Sequence, residues 1–246
     1  MVDKNIERER FNKIASDSLL KNESHKIPNL KPPLKIPTLF YKSVVNEYSS
    51  VNSRILEIGA GMGENTCFLL DSGASVLATD ISEISLIALS KRFSTSRLST
   101  KVEDMEKLSF NNEEFDIVCC AGSLSYGDNI TVMNEIYRVL KFGGVLIVID
   151  SLNHNPIYKI NRYIHYLKGN RSKSTLNRMP TIGLINKYIN KFGNGEIKYF
   201  GSIVWSYPVL RKILPDHLVV KLSNFIDNKF KIKASAFKFV MVLHKK

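Results

Sequence analysis

The stretch from residue 53 to residue 150 predicts an α/β fold built on a doubly wound, mostly parallel sheet. Three observations carry that prediction. Short apolar runs alternate with helical stretches through the whole region, the pattern of strands connected by crossover helices. The first run, Arg54-Ile-Leu-Glu-Ile58, passes straight into a turn with glycine at positions 59, 61 and 63. The second run, Ser75-Val-Leu-Ala-Thr-Asp80, ends on an acidic residue 21 positions after Gly59. In such sheets ligands bind at the carboxyl ends of the strands, where both the turn and Asp80 fall.

The elements follow in order. Residues 4–20 are highly charged and read as a short helix. The segment His25-Lys-Ile-Pro-Asn-Leu-Lys-Pro-Pro-Leu-Lys-Ile-Pro37 holds four prolines, which should block a regular helix and favour an extended path. Residues 1–45 are therefore expected to form a charged helix and a proline-rich lid, with Phe40 and Tyr41 near the site. A helix over 38–50 leads into the first strand, and 46–246 is expected to be one domain. Strands are predicted at 53–58, 75–80, 100–104, 115–120 and 144–150, with helices at 62–72, 82–94 and 129–141 between them. A helix over 181–192, a strand over 195–203 and a last strand in Ala236-Phe-Lys-Phe-Val-Met-Val-Leu-His244 continue the pattern.

The glycines remove side chains where the backbone must turn sharply and approach a ligand. An acidic side chain at the end of the second strand is placed to accept hydrogen bonds from both hydroxyls of a ribose, so the ligand is read as a nucleoside. A dinucleotide fingerprint would need a third glycine where Glu64 stands. The alternate glycines, preceded by Glu57, instead resemble motif I of the class I S-adenosylmethionine (SAM)-dependent methyltransferases. Further resemblances follow at Val102-Glu-Asp-Met-Glu-Lys-Leu-Ser-Phe110, at Glu114-Phe-Asp-Ile-Val-Cys-Cys-Ala-Gly-Ser-Leu124, and at Glu135-Ile-Tyr-Arg-Val-Leu-Lys-Phe-Gly-Gly-Val-Leu-Ile-Val148.

The resemblance implies a Rossmann-like, seven-stranded sheet whose last strand is antiparallel, with SAM as cofactor and S-adenosylhomocysteine (SAH) as product. It places the cofactor against Glu57, Gly59, Ala60, Gly61 and Gly63. Asp80 would meet the ribose, Asp104 and Met105 the adenine, with Ile81 and Ala121 as further cofactor contacts.

Composition bounds the rest. The 246 residues suffice for one large domain with insertions. No apolar run approaches the roughly 20 residues of a membrane span, and the first ten residues lack a signal peptide's apolar core, so a cytoplasmic location is expected. Cys67, Cys119 and Cys120 form no C-x-x-C pair, the five histidines are scattered, and no metal is expected. Charge is uneven. Residues 1–150 hold 17 Lys+Arg against 20 Asp+Glu, and residues 151–246 hold 18 against 3. The basic part should meet an anion: a phosphate-bearing small molecule, a membrane surface or nucleic acid.

Substrate choice is expected to reside outside the core, in 1–45 and in cap insertions at 151–180 and 205–233. Asn155 and Pro156 start a helix. Ile157, Ile160, Ile164 and Leu167 share its apolar face, leaving Tyr158, Arg162 and His165 on another. With Tyr41 and the basic residues Arg171, Lys173 and Arg178, these are the candidate substrate contacts. Methyl transfer to a hydroxyl needs alignment and benefits from a base. His154, on the loop after the fifth strand, is the first candidate, with Tyr126 and Asp128 as alternatives. Cap and core together resemble methyltransferases of bacterial surface-polysaccharide pathways. That resemblance implies O-methylation of a small anionic acceptor such as a sugar, nucleotide-sugar or glycan precursor. The alternatives are a quinone or lipid acceptor with peripheral membrane contact, an RNA substrate, for which no recognisable RNA-binding module is present, and a SAM-binding module without catalysis.

Overall fold

The computed structural model describes residues 2–20, 32–169, 172–230 and 232–246. Seven strands form one sheet: β1 (Arg54–Ile58), β2 (Ser75–Asp80), β3 (Leu98–Val102), β4 (Phe115–Ala121), β5 (Leu140–Ser151), β6 (Gly195–Phe200) and β7 (Lys238–His244). Their order is β3-β2-β1-β4-β5-β7-β6. The first five strands pair in parallel, whereas β7 runs antiparallel to both β5 and β6. Ile58 lies opposite Thr79 on one side and Cys120 on the other. This register brings the carboxyl ends of β1, β2 and β4 together at one edge. The order reverses at β1, which sends crossover connections to opposite faces and opens a crevice there.

Alternation along β1 divides the core. Ile55 points into one apolar layer, with Tyr41, Val45, Leu69 and Ile147, while Leu56 and Ile58 point into the other, with Val132, Ile136, Tyr188 and Met241. Each fully buried aliphatic side chain contributes about 1.5–3 kcal/mol, and a shift of one residue along β1 would exchange the two layers, carrying Glu57 into the layer built around Leu56 and Ile58, so the register is strongly specified.

The helices are α1 (Val2–Leu20), α2 (Pro32–Tyr48), α3 (Thr66–Asp71), α4 (Glu83–Arg92), α5 (Asn129–Val139), α6 (Pro156–Leu167), α7 (Lys173–Asn177), α8 (Ile182–Phe192), α9 (Tyr207–Leu210) and α10 (Asp216–Phe230). Side chains of Ser82, Asp128, Asn155 and Thr181 cap α4, α5, α6 and α8. Each supplies an acceptor to an N–H that the helix itself leaves unpaired.

Two expectations change. Helix α2 begins at Pro32, not near residue 38. Pro32 and Pro33 occupy the first turn, where a missing N–H removes no helical bond, and only Pro37 interrupts the ladder. The rest of the proline-rich segment, 21–31, lies outside the described residues. Helix α3 starts at Thr66 rather than 62, because Gly61 (φ 56°) and Gly63 (φ 89°) hold the chain in a left-handed turn that no right-handed helix accommodates. Among the described residues no helix is long and apolar enough to cross a membrane.

Candidate active site

The glycine turn is tied to β2. The N–H groups of Gly59 and Ala60 both donate to the Thr79 carbonyl at 2.9 Å, and that of Gly61 donates to Asp80 Oδ2 at 2.9 Å. Asp80 Oδ1 accepts from the Ser82 N–H at 2.9 Å. Burial raises the Asp80 pKa, and the backbone hydrogen bonds from Ser82 and Gly61 oppose that rise. Gly59 is required sterically as well as conformationally. Its φ is 70°, and a Cβ there would lie 2.5 Å from Ser123 Cβ. The turn after β1 thus packs directly on the loop after β4.

These elements open on a cleft with an empty volume of about 940 Å³. Its walls include Gly59, Ala60 and Gly61, then Asp80 and Ile81, Asp104 and Met105, and Ala121 to Ser123 with Tyr126. Eight of the ten expected cofactor residues therefore line one cavity. Glu57 and Gly63 do not. Glu57 is 2% exposed beneath the turn, where it accepts a 2.6 Å hydrogen bond from Thr66 Oγ1, and burial lifts its pKa to about 8. Gly63 faces α4, where a Cβ would meet Phe93 at 2.8 Å. Its lack of a side chain serves helix packing, not ligand approach.

Helix α1 roofs the cleft with Lys4, Glu7 and Phe11. Lys4 Nζ lies 2.6 Å from both Asp104 Oδ2 and Glu106 Oε2. Glu7, 5% exposed, accepts from Thr175 Oγ1 at 2.7 Å and from the Ser172 N–H at 3.3 Å, which fastens α1 to α7. Phe11 meets Tyr126 edge-on with ring centroids 5.3 Å apart, and Arg10 Nη2 donates to Tyr126 Oη at 3.4 Å. Ser82 Oγ donates to Asn12 Oδ1 at 2.6 Å. The cover over the site is thus the charged helix rather than the segment carrying Phe40 and Tyr41. Tyr41 is fully buried in the core beside Cys119, and Phe40 packs on Phe200.

The remaining candidates separate. Tyr126, on the turn Leu124–Tyr126, lines the cleft. Asp128 caps α5, and the hydrogen bonds it receives from the Thr131 N–H and hydroxyl hold its carboxyl below the usual range, which weakens it as a base. His154 is exposed on the β5–α6 loop and does not line the cleft.

Helix α6 is turned opposite to expectation. Tyr158 and Arg162 are its buried residues, while Ile157, Ile160, Ile164 and Leu167 are exposed. Arg162 Nη1 donates to the Leu152 carbonyl at 2.8 Å and to Asn153 Oδ1 at 2.9 Å, and its charge acts on buried Asp150. Tyr158 Oη donates to the Gly201 carbonyl at 3.3 Å. Satisfying these internal acceptors requires the polar side of the helix to face inward, so neither residue is presented to a substrate. His165 and Lys173 are exposed, and Arg178 is half-buried, with its carbonyl held by Asn129 Nδ2 at 2.9 Å. Arg171 lies outside the described residues. Sequence reading missed Lys4, Glu7, Phe11, Ile58, Glu64, Asn65, Thr79, Glu103, Gly122 and Ser123 as cleft residues. One available signal was Phe11, the single aromatic side chain of α1.

Residues 56–148 match the sequence model of a family described as "Methyltransferase domain". This region is a class I SAM-dependent methyltransferase domain. A sterol 4-C-methyltransferase of Caenorhabditis elegans is 33% identical over 122 residues, 48% of this chain and 36% of that protein. A demethylmenaquinone methyltransferase of Clavibacter sepedonicus is 34% identical over 122 residues, 47% of this chain and 48% of that protein. The chain thus spans half or less of these relatives. The solved phosphoethanolamine N-methyltransferase 2 of Haemonchus contortus, in complex with SAM, has the same fold at 14% identity, with a TM-score of 0.59 over 84% of this chain and 52% of that one.

The methyltransferase domain's cleft fits SAM, which carries a sulfonium, an ammonium and a carboxylate and is a net cation. Of its lining carboxylates Glu7, Glu103 and Asp104 are paired with Arg10, Lys101 and Lys4, and the charges of Glu64 and Asp80 are left to balance the cation. The Gly59–Gly61 backbone leaves room for close approach, and Asp80 presents two oxygens whose backbone donors preserve capacity for further hydrogen bonds.

Proposed function

We propose that the chain transfers a methyl group from SAM to a hydroxyl of a small acceptor entering at the Tyr126 end of the cleft. The observation that carries this reading is the convergence of the glycine turn, Asp80, Asp104 and Tyr126 on one cavity beneath α1. SAM supplies a methyl group already activated by positive charge on sulfur. The protein's share is then alignment. In this reading the Gly61 backbone and Asp80 hold the ribose, Asp104 and Met105 hold the adenine, and the Tyr126 hydroxyl orients the acceptor's O–H. As the oxygen–methyl bond forms and the sulfur–methyl bond breaks, SAH leaves and the hydroxyl proton passes to water, so the share of Tyr126 is orientation.

The acidic lining opposes an anion inside the cleft. An anionic sugar or glycan precursor would keep its charged group outside, against Lys173 and Arg178 of the cap, and present a hydroxyl inward. A quinone- or sterol-like acceptor is the second reading, favoured by the exposed apolar stripe of α6 and by the names of the two relatives. Incubation with methyl-labelled SAM and separated metabolite, glycan, lipid and RNA pools, followed by mass identification of the labelled product, decides between them. Label in no pool despite SAM binding would overturn methyl transfer itself.

A further inference from the structure

The outward face of α6 is an apolar stripe three turns long. Ile160 and Leu167 are 62% and 66% exposed, with Ile157 and Ile164 between and beside them. Helix α10 repeats the arrangement, with Leu218, Leu222 and Phe225 exposed at helical spacing. Between them in sequence, Val209 and Ile213 are also exposed, at 63% and 75%. A soluble monomer seldom leaves so much aliphatic surface open without using it.

The two stripes are tethered to one loop. Tyr158 of α6 donates to the Gly201 carbonyl, while Asp227 of α10 accepts from the N–H groups of Gly201 and Ser202 at 2.6 and 2.9 Å. Asn155, the cap of α6, donates to Ser235 Oγ, which in turn donates to the Ser202 carbonyl. The same loop carries Trp205, 43% exposed. Helix α6 also packs on α7, and α7 on the turn that bears Tyr126, which sets α6 one helix away from the acceptor end of the cleft.

The charge around this surface selects its occupant. Lys159 is exposed on α6 and Lys168 just after it, Lys221 and Lys229 on α10, and Arg211 and Lys212 between α9 and α10. Residues 151–246 carry 18 Lys+Arg against Glu196, Asp216 and Asp227. A second copy of the chain would bring like charge against like. Nucleic acid would use the lysines but leave the isoleucines and leucines without a partner. An anionic lipid surface uses both, since acyl chains receive the aliphatic stripe while lysine stems lie along it and carry their ammonium groups to the headgroups. The geometry points to α6, α9 and α10 as a docking face for an anionic membrane, which sets the acceptor end of the cleft at the bilayer interface.

The full chain, without SAM, is tested by co-sedimentation with phosphatidylcholine vesicles and with mixed phosphatidylcholine–phosphatidylglycerol vesicles. Binding is expected to the mixed vesicles and to be at least about tenfold weaker to the neutral ones, with about fivefold lost for each lysine neutralised in Lys221→Gln/Lys229→Gln. The exposed double variant Ile160→Glu/Ile164→Glu should lose vesicle binding while keeping its SAH affinity, which separates this outcome from misfolding and from failure of the methyl-transfer reading. Absence of binding to the mixed vesicles, or binding that this variant leaves unchanged, would overturn the inference. So would a dimer in light scattering that the variant dissociates, or RNA binding that it abolishes when vesicles are not bound.

Discussion

Replacing Asp80 by Asn removes a charge at the carboxyl end of β2 while keeping one acceptor for the Gly61 or Ser82 N–H. If the two carboxylate oxygens receive the ribose hydroxyls, the lost charge-assisted bonds weaken SAH binding by about 1.5–3 kcal/mol, roughly 10- to 150-fold. Stability should change less than binding, because the acceptor lost by one of those N–H groups is set against relief of a buried charge. The Asp80 pKa is raised by burial, with backbone hydrogen bonds offsetting part of the effect. A carboxyl raised in this way contributes stability below its unfolded pKa and loses it as pH rises through the folded value, so at neutral pH the ionised group costs the fold something that Asn relieves. The acid limb has the opposite sense for binding. SAH affinity should decline with falling pH before ordinary carboxylates protonate, and the Asn variant should lose this component. Calorimetric titration with SAH across pH, alongside thermal melting of the same samples, measures both. A folded Asn variant with unchanged SAH affinity would remove Asp80 from the ribose site.

Three further outcomes are expected. Glu57→Gln should become progressively more stable than the parent as pH rises from about 4.5 to about 8, on the order of 1.4 kcal/mol per pH unit in that window, because the buried parent carboxyl favours the fold only while protonated. Urea denaturation at about pH 5 and about pH 8.5 checks this, and a constant difference would refute it. Tyr126→Phe should lower kcat by roughly 10²-fold with SAH affinity within about twofold, whereas His154→Ala, exposed and outside the cleft, should retain most of its turnover. Glu7→Ala removes the acceptor that joins α1 to Thr175 and Ser172, so stopped-flow measurement should show SAH leaving about tenfold faster or more, and an unchanged rate would mean that α1 does not retain the ligand.

The strands and the glycine turn were legible in the sequence because their causes are local. Apolar runs of strand length, an acidic residue at the end of β2 and glycines at positive φ are fixed by near neighbours, and they brought Gly59, Gly61, Asp80, Asp104 and Met105 to one cleft. Glu57 and Gly63 belong to the same motif, yet only packing against Thr66 and against Phe93 shows that they face away from the cavity. The periodicity of α6 correctly grouped Ile157, Ile160, Ile164 and Leu167, but a period states which residues share a face and not where that face points. Direction was decided by the Leu152 carbonyl and Asn153 Oδ1, whose hydrogen bonds from the Arg162 guanidinium hold that side chain inward and leave the isoleucines outside. The roof over the site was hidden for a similar reason. Helix α1 buries Glu7 and Ala15 while Ile6 and Ile14 are exposed, so apart from Phe11 its own pattern does not mark an inner face, and its position depends on contacts as distant in sequence as Lys4 with Asp104 and Glu7 with Thr175. Local chemistry determined the cofactor turn. Long-range pairing of polar and charged side chains decided what covers it and which surface meets the surroundings.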